Sequence, residues 1–281
     1  MSCTERQPET MTAAKFNKKI NQKGTQIMNF IHKMILSVVA LSASGSLWAA
    51  NEMASIQGGE YRPLYLKKNM PKTPVKSFKI DKYPITNAEF LEFVRKNPQW
   101  QRGTVSNRQS DANYLKHWEQ NGSNSFAPKA AQLKHPVTYV SWFAANAYCR
   151  AQGKRLPTID EWEFTGLASE KAKDGSSEPN YSRVILDWYA EGGKRGLRNV
   201  GAGKPNFYGV HDMHGLIWEW TEDFNSSLLN AGTANSSLFC GGGTANSTDP
   251  SDYAAFMRYG MRTSVQANYT VKNMGFRCAS Y

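Results

Sequence analysis

No run of eighteen or more apolar residues occurs in the 281-residue chain, which excludes a bundle of membrane-spanning helices. Lys and Arg form no block and no ribbon interleaved with aromatics, so nucleic acid is a poor partner despite a formal charge of +11. Long segments of helical period are scarce, and 22 Gly with 12 Pro demand many turns, so a coiled coil or simple helical bundle does not fit. Cysteine is rare: there are four, and none falls between Thr244 and Arg262. Apolar side chains are not lacking. At 40% of the chain, with 12% aromatic, they suffice for a substantial core and exclude a largely disordered protein.

The first 49 residues read as a leader. Lys15, Lys18, Lys19, Lys23 and Lys33 precede the apolar run Met34–Leu41, and small residues and Leu47-Trp48-Ala49-Ala50 follow. A basic start, a short apolar segment and a small-residue end are the three parts of a secretory signal peptide. Cleavage is expected after Ala49, with residues 1–27 an upstream-start extension if Met28 is the true start, and the protein is then periplasmic. A retained N-terminal anchor helix is the alternative. The leader carries six of the Lys+Arg and two of the Asp+Glu, so residues 50–281 would have a charge of +7 and no membrane span.

Along residues 50–281, the alternation around Phe78 and Ile80 predicts a half-buried strand. Thr86-Asn87-Ala88-Glu89 is a capping box for a helix that presents Phe90, Phe93 and Val94 and stops at Pro98. Residues 99–134 show no period and are expected to wrap the surface. Ser141 caps a helix with the stripe Trp142, Ala145, Tyr148 and Cys149, ended by Gly153. Thr158-Ile159-Asp160-Glu161 opens another helix, carrying Trp162. Residues 169–208 read as loop-rich, and 225–252 are dense in Asn, Ser, Thr and Gly.

Four segments in order resemble the sulfatase-modifying-factor family, whose fold is that of the formylglycine-generating enzymes. They are Ile56–Tyr61 with Phe78–Phe93; His135–Phe164, with Gly-Lys-Arg-Leu-Pro-Thr and Glu-Trp-Glu; Tyr208–Trp220, with Trp218-Glu219-Trp220; and Gly242–Thr244 with Gly275-Phe276-Arg277-Cys278. The resemblance implies a single compact α+β domain with little regular structure, related to the C-type lectins. It also implies a disulfide between Cys149 and Cys278.

Catalytic members of this family oxidise a cysteine to formylglycine with Cu(I) held by two thiolates, ligands that suit a soft cation. Both are expected between Thr244 and Arg262, about where Ser247 and Ala254 stand. A hydroxyl and a methyl cannot replace them, so copper is not expected. Cys240 lies upstream and could supply one thiolate at most. A second branch uses three histidines on iron, supplied with the help of an added helical domain for which this chain has no room. His211 and His214 read better as ordinary surface histidines than as metal ligands.

By the same resemblance, Trp218, Thr244 and Arg258 match positions lining the family's substrate groove. A Trp and an Arg beside a Gly-rich turn suit a peptide or flat ligand. Asp212, Gly215, Ile217 and Glu219 match the ligands of a structural calcium, through two side chains and two carbonyls. The competing reading is that Asp212 caps a turn and Glu219 pairs with an arginine. The implied function is that of an accessory or maturation factor for a periplasmic protein or peptide client, closest to the branch encoded beside copper nitrite reductases. The rival is an oxidoreductase acting on a peptide or peptide-derived chromophore, as in the pyoverdine-maturation branch.

Overall fold

The computed structural model describes residues 52–63, 71–123, 125–191, 196–225 and 250–281. The leader, Cys240 and Thr244 lie outside these. Among the described residues no helix is long and apolar enough to cross a membrane.

The frame is a small antiparallel sheet in which β4 (Phe78–Asp81) lies between β1 (Met53–Ile56) and β9 (Ala279–Ser280). Ile80 faces Ala54 on one side and Ala279 on the other, and all three are buried. The alternation at Phe78 and Ile80 thus places their side chains in the core. The strand pattern breaks upstream: residues 76–77 separate β4 from β3 (Thr73–Val75), which pairs instead with β2 (Gly59–Tyr61).

Three helices begin where the sequence caps them. In α1 (Asn87–Lys96) the Thr86 hydroxyl accepts from Glu89 N, while the Glu89 carboxylate accepts the Thr86 N–H at 2.8 Å. In α2 (Trp142–Ala151) Ser141 accepts from Ala144 N. In α3 (Ile159–Gly166) Thr158 and Glu161 form a second capping box, and Arg155 grips Glu161 through two bonds of 2.6 Å. These caps satisfy amides that no helical carbonyl can reach. Phe90, Phe93, Tyr148 and Phe276 then meet as a buried aromatic cluster, with ring centroids 5.3–6.1 Å apart.

Residues 99–134 do not merely wrap the surface. Trp100, Tyr114, Leu115 and Trp118 are buried in the same core. They arrive through turns, so no period announces them. Leu115 sits at φ 48° and donates to Tyr139 O, and Trp118 Nε1 donates to Asn87 Oδ1. The stretch 169–208 contains a helix the sequence reading missed, α4 (Tyr181–Ala190). Its N-cap Asn180 makes no side-chain capping bond, so the usual start signal is missing. A further helix, α5 (Pro250–Ser264), covers the described part of the interval that lacks cysteine and packs against α4.

Cys149, at the end of α2, is bridged to Cys278, just before β9, with Cα atoms 5.6 Å apart. The bridge spans a sequence separation of 129 residues. Loop closure of that length stabilises on the order of 5 kcal/mol in the chain-entropy model. Both cysteines among the described residues are therefore committed to one covalent tie.

Candidate functional site

The site is built around Trp162 of α3. The short strand β7 (Trp218–Glu219) runs parallel to β8 (Met274–Gly275), with Glu219 opposite Gly275. Only glycine fits there, because a Cβ on Gly275 would lie 2.3 Å from Val137 O. Strand alternation turns Glu219 inward, fully buried, and leaves Trp218 half-buried on the other face.

Glu219 meets Arg277 through two parallel bonds of 2.8 Å and accepts Trp162 Nε1 at 2.8 Å. Arg277, also fully buried, further donates to the carbonyls of Asp81 and His211. A bidentate pair with its remaining donors satisfied is the form in which a buried ion pair is tolerated.

Two more guanidiniums lie over the ring of Trp162. Arg258 and Arg262, one helical turn apart on α5, place their Cζ atoms 5.7 and 4.8 Å from the ring centroid. Both converge on Glu163, the second Glu of Glu-Trp-Glu. Arg258 donates at 3.0 and 2.7 Å and Arg262 at 2.6 Å. Burial pushes the Glu163 carboxyl up, but Arg258 and then Arg262 pull it further down, well below the usual carboxylate range. The group is a permanent anion held by two cations.

Trp218 stacks on Tyr189 of α4 at 4.9 Å and 15°, with Trp188 5.2 Å away. Arg258 Nη1 reaches the Tyr189 hydroxyl at 3.4 Å. Trp162, Trp188, His214, Trp218, Arg258 and Arg262 all line one cavity whose interior is about 10 Å³, room for a single water. His214 donates Nε2–H to Gly166 O at 2.8 Å, the only role a carbonyl partner permits. Burial, with Arg258 next, lowers its pKa to about 3, so it is neutral at pH 7. It is half-buried, not the surface histidine expected from its loop context.

The structure therefore brings Trp218 and Arg258 to one cavity, but Arg258 is 3% exposed and its guanidinium is held by Glu163. Thr244, the third groove residue, lies outside the described residues. Glu163, Arg262, Trp188 and Tyr189 were not picked out from sequence. The spacing Ala254, Arg258, Arg262 is a helical stripe that could have flagged Arg262. Nothing local marks the two aromatics of α4 as partners of Trp218.

The expected calcium ligands are split between two sets of partners. Asp212 and Gly215 contact Arg198, whereas Glu219 belongs to Arg277 and Trp162. Among the described residues no three His, Cys, Asp or Glu side chains converge as a metal cluster. Among the described residues neither a thiolate nor an unpaired carboxylate lines the cavity. What this arrangement offers chemically is aromatic stacking and fixed positive charge.

The chain has recognisable relatives among known proteins. The sulfatase-modifying factor enzyme 1-like domain matches residues 41–281, and the chain belongs to that family. It is 31% identical over 240 residues to the inactive C-alpha-formylglycine-generating enzyme 2 of Mus musculus, covering 73% of this chain and 76% of the mouse protein. It is 32% identical over 168 residues to the formylglycine-generating enzyme of Streptomyces coelicolor, 52% of either chain. The solved structure of PvdO from Pseudomonas aeruginosa aligns at 18% identity and a TM-score of 0.46, over 82% of this chain and 94% of that one.

Proposed function

We propose that this protein is an exported accessory or maturation factor that binds a periplasmic protein or peptide client and has no copper-thiolate oxidase activity. The observation that carries the reading lies in α5. The helix carries the second of the two positions where the family's thiolates are expected, with Ala254 buried and Arg258 and Arg262 fixed on Glu163, while Ser247 lies outside the described residues. No cysteine stands between Thr244 and Arg262 to bind Cu(I). The likeness to a relative named as inactive, over most of both chains, supports the same conclusion. The kinship with C-type lectins that the resemblance implies also favours binding over chemistry. Trp218, half-buried between Tyr189 and Trp188, supplies an aromatic contact for a client.

The test runs on one purified sample of the full protein. A cysteine-containing sulfatase peptide incubated with it and Cu(I) should emerge unmodified by mass spectrometry. The tagged protein should retain a defined partner from periplasmic extract. Formation of the aldehyde, or a stoichiometric transition metal in the sample, would favour the oxidoreductase reading instead.

A further inference from the structure

Residues 198–215 fold back so that three left-handed positions fall close together: Gly201 at φ 72°, Asp212 at φ 55° and Gly215 at φ 86°. The turns bring one carboxylate and one carbonyl to a common point. By the family resemblance that point would be the place of a calcium ion. Here the guanidinium of Arg198 lies on it. Its Nη1 donates to Gly215 O at 2.9 Å and its Nη2 to Asp212 Oδ1 at 2.8 Å, and the second Asp212 oxygen accepts Gly201 N–H at 2.6 Å. We propose that Arg198 replaces the cation in this loop, so that the protein carries its own positive charge between Asp212 and Gly215 and binds no calcium there.

Three observations favour the substitution. Charge is matched: the side chain of Asp212 is 1% exposed, and its single negative charge faces the single positive charge of Arg198. A divalent ion would leave an excess, because Glu219 is already neutralised by Arg277 at 2.8 Å. Coordination is short of oxygen. Calcium takes six to eight oxygen ligands, and both Glu219 oxygens are held by Arg277, one of them also by Trp162. Geometry suits a fork better than a sphere: a planar guanidinium donates along two directions to two separate acceptors, as it does here. Gly203 lies against the same group, with an added Cβ 3.8 Å from Arg198 Nη2 and 3.9 Å from Asp212 Oδ1.

The measurement is the melting temperature of the full protein in EDTA, in millimolar CaCl₂ and in MgCl₂ at constant ionic strength. The wild type should melt at one temperature in all three. Arg198→Ala should melt lower by about 4 °C, Asp212→Ala by a similar amount, and the double variant no lower than the worse single. A wild type that gains several degrees from calcium alone overturns the proposal. So does an Arg198→Ala variant as stable as the wild type, or one whose loss adds to that of Asp212→Ala. Should a variant fail to fold, terbium luminescence of the wild type still decides: no sensitised emission is expected, and saturable emission displaced by calcium refutes the idea.

Discussion

Trp162 has a different ion cluster on its edge and on its face, and the two solve the burial of charge differently. On the edge, Glu219 and Arg277 match one to one, and Trp162 Nε1 completes the carboxylate. Arg277 also neighbours Cys278, so the pair is tied to the covalent bridge to α2. On the face, one carboxylate, Glu163, holds two guanidiniums, and nothing covalent secures the helix that carries them. The edge cluster closes the fold by joining β7 to the segment that leads into β9. The face cluster fixes α5 against α3 and so shapes the wall of the cavity beside Trp218. The same chemistry serves closure in one place and site shape in the other.

The largest effect should come from unbalancing the face. Glu163→Ala leaves two buried guanidiniums without an anion, and breaking buried pairs of this kind costs about 4–5 kcal/mol. Arg262→Met removes the surplus cation and leaves Glu163 its bonds to Arg258, so a loss of about 1–2 kcal/mol is expected. On the edge no such asymmetry exists: Arg277→Met strands Glu219 with only the Trp162 N–H and should approach the Glu163→Ala loss. Urea unfolding of the three variants measures this. Equal losses for Arg262→Met and Glu163→Ala would show that the second arginine is no surplus.

A smaller effect separates the two regions by pH. Asp81 lies on the edge side, where its carboxylate meets Lys154 Nζ at 2.6 Å and accepts Cys278 N–H at 2.9 Å. Burial outweighs Lys154 and pushes Asp81 up to about 6, from 3.8. The folded chain then binds more protons than the unfolded one between about pH 4 and 6. This contribution is complete below about pH 4 and is lost as pH rises through 6, by about 3 kcal/mol. Glu163 has the opposite sign, since its pKa is lowered: its contribution is present above about 4.5 and is lost as pH falls towards 2. Wild type should therefore lose about 3 kcal/mol of stability relative to Asp81→Asn between pH 4 and pH 7. A difference constant over that range would mean that Lys154 keeps Asp81 ionised throughout.

The motifs of the edge region stood out in the sequence, though the pairing of Glu219 with Arg277 across 58 residues did not, and the face region left no local signal. Gly275-Phe276-Arg277-Cys278 and Trp218-Glu219-Trp220 are compact signals. The capping boxes at Thr86 and Thr158 likewise fix their helices through bonds spanning three residues. The face depends on partners far apart in sequence: Glu163 lies 95 residues from Arg258 and 99 from Arg262. Nothing local says that an acid and a base at such separation will meet. The helix α4 escaped for a related reason, since it opens without a capping bond of the kind seen at Thr86. Family resemblance supplied Arg258 and Trp218 as groove residues, but only packing reveals that Glu163 already holds the arginine. The calcium set shows the same limit. The ligand types were present, and their actual partners, Arg198 and Arg277, came from elsewhere in the chain.

A modest effect on stability should accompany the largest effect on function. Trp218 is half-buried and rests on Tyr189 and Trp188, so Trp218→Ala removes stacking contacts worth about 0.5–1.5 kcal/mol each. A loss of about 2 kcal/mol is expected, below that for Glu163→Ala. The neighbouring Trp220 provides the contrast: it is fully buried and donates Nε1–H to Val140 O at 2.9 Å. Trp220→Ala should cost about 3–5 kcal/mol, as removal of a core aromatic does. If Trp218 is a client contact, Trp218→Ala should lose the partner captured from periplasmic extract while its far-ultraviolet dichroism stays that of the wild type and its melting temperature falls by only several degrees. Trp218→Phe should recover part of the capture, because an aromatic face persists. Undiminished capture by a folded Trp218→Ala variant would move the client surface away from this cavity.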